Sequence, residues 1–282
     1  MAQDHSSIRP DIIDGPATPL DAAIQFRKAD TLDMVRRAVD TRNVVLAFQP
    51  VVQTRLPKRA AFYEGLVRVL DEAGRIIPAR DFIPLIEMRE LGRMIDCLAL
   101  EMGLIALRRE PTLRLAINMS ARSIGYGKWM DTLRFGLRGE GRIGERLILE
   151  ISEGSAMLMP DIVAAFMEEV ASTGLCFSLD DFGSGYMSLR HLREFNFDMV
   201  KIDGEFIRGI DRTPDNQVVT KALVSVARQF EMFTIAESVE TADEARYLAG
   251  MGLDCMQGYF FGAPSTKPPW RTTGARRSSG TQ

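Results

Sequence analysis

The stretch "VVLAFQPVVQTRLPKRAAFYEGLVRVL", residues 44–70, decides how this chain is built. Two β-rich runs, "VVLAFQPVV" (44–52) and "AAFYEGLVRVL" (60–70), are joined only by the seven residues "QTRLPKR" around Pro57. A parallel crossover needs roughly a dozen residues or more, so these two strands must run antiparallel as a hairpin. Further β-rich runs follow: "LRLAINMS" (113–120), "RLILEIS" (146–152), "LCFSLDDF" (175–182), "MVKID" (199–203), "FTIAESV" (233–239) and "LDCMQGYFF" (253–261). From the second run on, helical patterns lie between them. "RMIDCLALEMGLIALRRE" (93–110) carries apolar residues at three- and four-residue steps. "PDIVAAFMEEVASTG" (160–174) has Pro160 at a first helical position and Gly174 as a stop. "NQVVTKALVSVARQF" (216–230) and "TADEARYLAGMG" (241–252) are two more. Near-continuous apolar strands alternating with helices predict a parallel sheet buried on both faces. The expected fold is α/β, a TIM-like (β/α) barrel whose first strand is antiparallel. An open doubly wound sheet is the second choice, but no glycine-rich phosphate loop follows the first strand.

The chain has 282 residues, 46% of them apolar, which suits one large globular domain. Residues 1–29 show no periodicity and read as a flexible arm, 30–265 as the barrel, and 266–282 as a disordered tail. A net charge of −3 gives no electrostatic case for double-stranded nucleic acid or an anionic membrane. No apolar run reaches the roughly eighteen residues of a membrane span. The start, "MAQDHSSIRPDIIDGP", lacks the basic and apolar regions of a signal peptide, so a cytoplasmic protein is expected. Cys97, Cys176 and Cys255 sit far apart in apolar segments and read as reduced core residues. With only His5 and His191, a His-rich zinc site or a Ser-His-Asp triad has little to draw on.

The informative pattern is where polar residues interrupt the apolar runs. Glu64, Asn118, Glu150, Lys201, Glu237 and Gln257 each fall toward a strand end, and "CFSLDDFGSGYMSL" (176–189) closes a strand with Asp180 and Asp181 side by side. Active sites of such barrels gather at the C-terminal face of the strands. Several carboxylates converging there need cations. An all-oxygen donor set favours hard ions, Mg2+ or Mn2+, with Ca2+ a further occupant. One of two adjacent aspartates can bridge two metals while its neighbour binds one, and such a pair clamps a phosphoryl displacement. Lys201 among these acids stays protonated and can orient the attacking water; as a plain counter-ion it would do no more than balance charge.

At these residues the chain resembles the EAL-domain family of cyclic di-GMP phosphodiesterases. The signature motif stands as "EGLVR" (64–68), with Gly65 in place of the usual alanine. "FQPVV", "FIPLIE", "NMSARS", "LEISEG", "DDFGSGYMSL", "VKIDGEFI", "AESVET" and "GYFFGAPS" resemble further blocks in the right order, over roughly residues 32–265. The resemblance implies a barrel with one reversed strand and two Mg2+ or Mn2+ ions per subunit. It implies that Glu64, Asn118, Glu150 and Asp180 hold one ion, and Asp180, Asp181 and Glu237 the other. Lys201 would position the hydrolytic water. Glu240, Gln257 and Asp203 resemble supporting groups. Gln49, Leu66 and Arg68 match positions that grip the dinucleotide. Glu153 matches the residue that anchors the "DFGSGYMSL" loop, which implies a homodimer through residues 182–190. The implied reaction opens one phosphodiester of cyclic di-GMP to give linear pGpG. Ile86 before Glu87 and Ser238 in the "AESVE" turn depart from the family pattern, as do Gly65 and Ser184 more mildly; Ile86 is expected to tighten a base pocket and Ser238 to shift Glu237.

Two alternatives stay open on sequence grounds. One is a catalytically silent cyclic di-GMP receptor or protein-interaction module of the same fold. The other is a lyase with one Mg2+ and a lysine base, against which the aspartate pair counts.

Overall fold

The computed structural model describes residues 18–138, 142–185, 187–268 and 270. The strands are β1 (Val44–Gln53), β2 (Leu56–Leu70), β3 (Ile76–Ile77), β4 (Leu115–Asn118), β5 (Leu147–Ser152), β6 (Cys176–Phe182), β7 (Met199–Ile202), β8 (Phe233–Ala236) and β9 (Cys255–Gln257). Eight of them close a ring in the order β1-β9-β8-β7-β6-β5-β4-β2, with β1 pairing back onto β2; the two-residue β3 lies outside it. β1 runs antiparallel to both β2 and β9, while the remaining ring pairs are parallel. The reversed first strand expected from the short connection is therefore present.

The hairpin itself is tighter than expected. The strands run into the "QTRLPKR" segment until only Thr54 and Arg55 form the turn. Register shifts between Val51 and Gln53 absorb the extra residues of β2. Residues 56–59 are exposed, so a polar sequence that reads as loop is a hairpin tip standing in water.

Two further expectations at the termini need correction. A helix, Pro19–Asp40, occupies residues 19–29 of the expected arm. The Thr18 side chain caps it by accepting from the Asp21 amide, Pro19 sits at its start, and its second half buries Val35, Ala38 and Val39. Residues 1–17 lie outside the described residues. At the other end, Trp270 packs edge-on against Phe48 (4.7 Å between ring centroids) and Tyr63 (5.2 Å), so it belongs to the folded domain. An aromatic side chain buries enough apolar area to anchor a composition that otherwise reads as disordered. Residues 271–282 lie outside the described residues.

The helices end where their residues dictate. Pro160–Val170 starts on its proline and stops, after one 3-10 turn, at Gly174 with φ 76°. Ala242–Met251 opens with a capping box, Thr241 and Glu244 exchanging hydrogen bonds, and closes on Gly252 at φ 80°. Glu90–Arg109 lays Leu100, Leu104 and Leu107 over the sheet beside Leu115 and Ile117. Among the described residues, no helix is long and apolar enough to cross a membrane.

The interior of the barrel explains where the site must be. Val51, Phe62, Ala116, Ile148 and Ile235, with Cys176, Met199 and Cys255 against them, form a small apolar cluster of their own. Strand side chains alternate with a period of two, so each residue two places along shares the same face. Those residues are Gln49, Glu64, Asn118, Glu150, Glu237, Ser178, Lys201 and Gln257. The wall is thus apolar at one level and polar at the next, and the polar level is the site.

Candidate active site

Lys201 is the centre of this polar layer. It is 1% exposed, and its Nζ lies 2.5 Å from Glu237 Oε1, 3.2 Å from Glu64 Oε2, 3.3 Å from Glu150 Oε2 and 3.4 Å from Asp180 Oδ1. Asn118 Nδ2 donates to Glu64 Oε1 at 2.7 Å, and Gln257 Nε2 donates to Glu64 Oε2 at 2.6 Å. The same Gln257 nitrogen reaches Gln49 Oε1 at 3.2 Å, while Gln49 Nε2 donates to the Gly262 carbonyl. Gln49 is therefore engaged at both ends of its amide and braces Gln257.

The adjacent aspartates owe their placement to a β-bulge. Leu179 pairs with Val200 and Phe182 with Ile202, so Asp180 and Asp181 together stand opposite the single residue Lys201. Asp181 also takes a left-handed backbone, φ 55°. In a regular strand consecutive side chains would point to opposite faces. Here Asp180, Asp181 and Glu237 each offer an oxygen, and the three lie within 4.8 Å of one another. Aspartate tolerates this backbone region better than most residues.

One lysine cannot neutralise five carboxylates. Burial alone would raise Glu64, but the Lys201 charge and the hydrogen bonds from Gln257 and Asn118 hold it below its ordinary value. Burial pushes Glu237 well up, and Asp180 adds to it. Burial likewise pushes Glu150 well up against the attraction of Lys201, with Glu64, Asp180 and Glu237 adding repulsion. Burial with the charges of Asp180 and Asp203 lifts Asp181 to about 6. Burial works against the Lys201 charge, yet Asp180, Glu150, Glu237 and Glu64 outweigh it and hold its pKa well above the ordinary lysine value. Glu150 Oε1 is buried with no hydrogen-bond partner. An all-oxygen donor set, an excess of negative charge and an orphaned carboxylate oxygen together fit hard divalent cations.

Neighbouring loops fix the site from outside. Glu153, buried at the start of a short helix, accepts from the Gly183 amide at 2.9 Å and the Met187 amide at 2.5 Å, tying down both ends of the segment after β6. Tyr186 within that segment lies outside the described residues. Asp203 caps the helix Gly204–Ile207 by accepting from the Glu205 amide at 2.7 Å. A cavity of about 370 Å3 opens above Lys201, with Leu66, Arg68 and Glu240 among the residues on its wall. Arg68 donates to its neighbour's carbonyl, Val67 O, at 2.8 Å.

The departures read differently once placed. Ile86 is buried beside Phe82, Val69 and Ile95 and lines a smaller neighbouring cavity with Glu87, Asn118 and Ser120 rather than the one above Lys201. At Gly65 an added Cβ would stand 2.8 Å from Ile117 Cδ1, so the missing methyl makes room for the isoleucine. Ser238, with φ 54°, leaves Glu237 in contact with Lys201.

Three positions escaped the sequence reading. Glu244 accepts from the amides of Gly209, Glu240 and Thr241 at 2.7, 2.8 and 2.9 Å and so joins two loops at the mouth; the "TADE" capping box was its visible sign. Arg208 lines the cavity and donates to Ser238 Oγ at 3.3 Å, a contact with no sequence signal. Asp96, an acid interrupting the apolar face of its helix, accepts from the Ser120 amide at 2.9 Å and the Ser123 hydroxyl at 2.6 Å, fixing the segment that follows Asn118.

Burial raises the Asp96 carboxyl to about 6, against the pull of Ser123 and Ser120. Its folded pKa thus lies above its unfolded one, so the folded state binds the extra proton. Stability from this group is full below about pH 4 and lost as pH rises through about 6. Asp96→Asn keeps an acceptor oxygen but cannot titrate. The stability of the wild type relative to Asp96→Asn is expected to fall by about 1–2 kcal/mol between pH 4 and 7, partial exposure having reduced the full linkage value. Urea unfolding of both proteins at the two pH values checks this, and a constant difference would refute it.

Residues 32–264 match the family model for the EAL domain. The chain is 28% identical over 235 residues to the bifunctional diguanylate cyclase/cyclic di-GMP phosphodiesterase MucR of Pseudomonas aeruginosa, covering 82% of this chain and 34% of that protein. It is 29% identical over 234 residues to the cyclic di-GMP phosphodiesterase PdeR of Escherichia coli, covering 82% and 35%. This chain therefore spans about a third of the length of these curated relatives. Among solved structures, the PaMucR phosphodiesterase in complex with c-di-GMP aligns with a TM-score of 0.73 at 28% identity, covering 86% of this chain and 99% of that one. The FimX EAL domain from Pseudomonas aeruginosa bound to c-di-GMP aligns with a TM-score of 0.74 at 24% identity, covering 84% and 97%, a likeness of fold.

Proposed function

This chain belongs to the EAL domain family, and on that premise we propose that it is a phosphodiesterase that hydrolyses cyclic di-GMP to linear pGpG with two Mg2+ or Mn2+ ions. The observation that carries the reading is the bulge that sets Asp180 and Asp181 opposite Lys201, with Glu64, Glu150 and Glu237 in contact with the same lysine. A silent receptor needs the cavity but not this arrangement, and a single-metal lyase has no use for the second aspartate.

Glu64, Asn118, Glu150 and Asp180 would hold one ion, and Asp180, Asp181 and Glu237 the other. When bound, the ions supply Lewis-acid charge that offsets the charge building on the phosphoryl group. Lys201, kept protonated by its carboxylates, donates hydrogen bonds that orient the attacking water. Attack forms a phosphorus–oxygen bond and breaks the P–O3′ bond. One water proton ends on the departing 3′ oxygen, and the new 5′-phosphate carries the water oxygen. Arg68 neutralises a phosphate by charge-assisted contact. Gln49 acts through Gln257, whose hydrogen bond to Glu64 fixes that carboxylate. Glu240 stands on the cavity wall as a supporting group.

The proposal includes a homodimer through residues 182–190. Support comes from the exposed apolar side chains Leu189, Met88 and Leu158, the last two bordering a cavity with Asp181 and Ser184.

The test is purified protein incubated with cyclic di-GMP and Mg2+ or Mn2+, with products separated by chromatography. Linear pGpG is the expected product. Intact substrate that remains bound would replace the hydrolase with a receptor, and absence of binding would remove the site reading altogether.

A further inference from the structure

A cyclic dinucleotide carries two phosphodiesters, and only one of them can stand at the carboxylate cluster. Resting on the substrate reading above, we propose that Arg208, held in place by Ser238, is a specificity-determining residue that binds the second, non-reacting phosphodiester.

The position of Arg208 comes first. It follows directly on the short helix after β7 and lines the same cavity as Lys201, Glu237 and Arg68. Around the ring, β2 reaches β7 through β4, β5 and β6, or through β1, β9 and β8, so the two strands face each other across the barrel. Arg68 at the end of β2 and Arg208 beyond β7 therefore enter the mouth from opposite walls. A flat, two-charged ring spanning the cavity meets one guanidinium on each side.

The partners of Arg208 come second. Among the described residues its side chain makes one hydrogen bond, to Ser238 Oγ at 3.3 Å. A guanidinium has five N–H donors, and this contact uses one of them. Asp180, Glu237 and Glu240 line the same cavity, yet among the described residues Arg208 has no carboxylate within 4.0 Å. A cation serving as counter-ion to this acidic site would be paired with it, as Lys201 is. An unpaired guanidinium suits an anion that arrives from outside, and its planar fork matches phosphate oxygens.

The backing of the residue comes third. Ser238 adopts a left-handed backbone, φ 54°, where glycine is the unstrained choice. Its side chain fills the space over Gly204, where an added Cβ would lie 2.7 Å from Ser238 Cβ and 2.4 Å from its Oγ. Gly204 and Ser238 thus interlock, and the hydroxyl is aimed at Arg208. The Glu244 carboxylate binds the amides of both Gly209 and Glu240, so the backbone beside Arg208 and the loop after Ser238 are fixed to one another. Arg208 is exposed, and the Ser238 hydrogen bond together with this fixed backbone biases its guanidinium toward the mouth, which lowers part of the cost of ordering it on binding.

The experiment measures cyclic di-GMP affinity by calorimetry, with a chelator present to withhold metal, on wild type, Arg208→Met, Arg208→Lys and Ser238→Gly. Loss of a charge-assisted hydrogen bond predicts about ten-fold weaker binding for Arg208→Met. Arg208→Lys keeps the charge without the fork and is expected to lose less. Ser238→Gly frees the guanidinium and is expected to weaken binding about two- to three-fold while leaving the melting temperature at or above that of the wild type. Unchanged affinity in Arg208→Met overturns the proposal, as does a loss accompanied by a lowered melting temperature and no recovery in Arg208→Lys. A wild type that binds cyclic di-GMP without cleaving it would remove the hydrolase reading and leave this one standing. Unchanged Arg208→Met affinity in a protein that does cleave would remove this one alone, and a wild type that does not bind removes both.

Discussion

Lys201→Met is expected to unfold roughly 10 °C below the wild type in metal-free buffer and to lose at least about 10^3-fold in turnover. Methionine keeps most of the volume, so the loss isolates the charge. The ammonium is buried and touches Glu237, Glu64, Glu150 and Asp180 at 2.5–3.4 Å. Removing one partner of a buried ion pair leaves the other uncompensated, at a cost of about 3–5 kcal/mol. The direction with pH is fixed by Glu64. Burial would raise its carboxyl, and Lys201 is the first of the influences that hold it down. Without the lysine, Glu64 rises and takes up a proton more readily. The folded variant then binds protons that the unfolded chain releases, so its deficit shrinks toward acid pH and grows as pH rises. Divalent cations replace the missing charge, so Mn2+ should restore more stability to the variant than to the wild type. Thermal melts at pH 6 and 8, with and without Mn2+, read all three signs. A metal-free variant as stable as the wild type would mean that Lys201 does not neutralise this cluster.

What the sequence revealed follows from the same electrostatics. Strands buried on both faces read as unbroken apolar runs, so an acid such as Glu150 within "LILEIS" or Glu237 within "TIAES" stands out against its surroundings. The reversed first strand was legible because chain length forbids the alternative. The hairpin tip was not, because exposed residues 56–59 carry loop-like composition, yet Leu56 still pairs with Gln53 and the residues between it and Ala60 are taken up in a register shift of an extended strand. The bulge was equally hidden. "LDDF" shows two adjacent acids, but that both face Lys201 depends on the register of β6 against β7, a pairing between residues about twenty apart in sequence. Ser238 was visible as a departure, yet its partners Arg208 and Gly204 lie some thirty residues away and nothing local names them. The helix from Pro19 and the docking of Trp270 were missed for one reason: weak local pattern was overridden by a cap in the first case and by two aromatic contacts in the second.

Asp180→Asn should behave in the opposite sense to Lys201→Met, and the contrast separates metal binding from folding. Asp180 belongs both to the acids around the lysine and to the cluster formed with Asp181 and Glu237. It lies 3.4 Å from Lys201 Nζ and offers an oxygen within 4.8 Å of those of Asp181 and Glu237. Its charge contributes, after burial, to the raised pKa values of Glu237 and Asp181. Asparagine removes that repulsion while keeping the shape, so the metal-free variant is expected to be as stable as the wild type or up to about 1–2 kcal/mol more so. The same change takes away the one carboxylate assigned to both ions. Stabilisation of the wild type by Mg2+ or Mn2+ grows as RT ln(1 + [L]/Kd), and most of that rise should be missing in the variant. Cyclic di-GMP hydrolysis should fall by at least about 10^3-fold. Substrate binding in chelator should be retained, because Arg68 and Arg208 are untouched. Melting curves titrated with Mn2+, set beside product chromatography, check each part. A variant that keeps the full metal-dependent rise in melting temperature would show that Asp180 does not bridge the ions, and it would do so whether or not the protein cleaves its substrate.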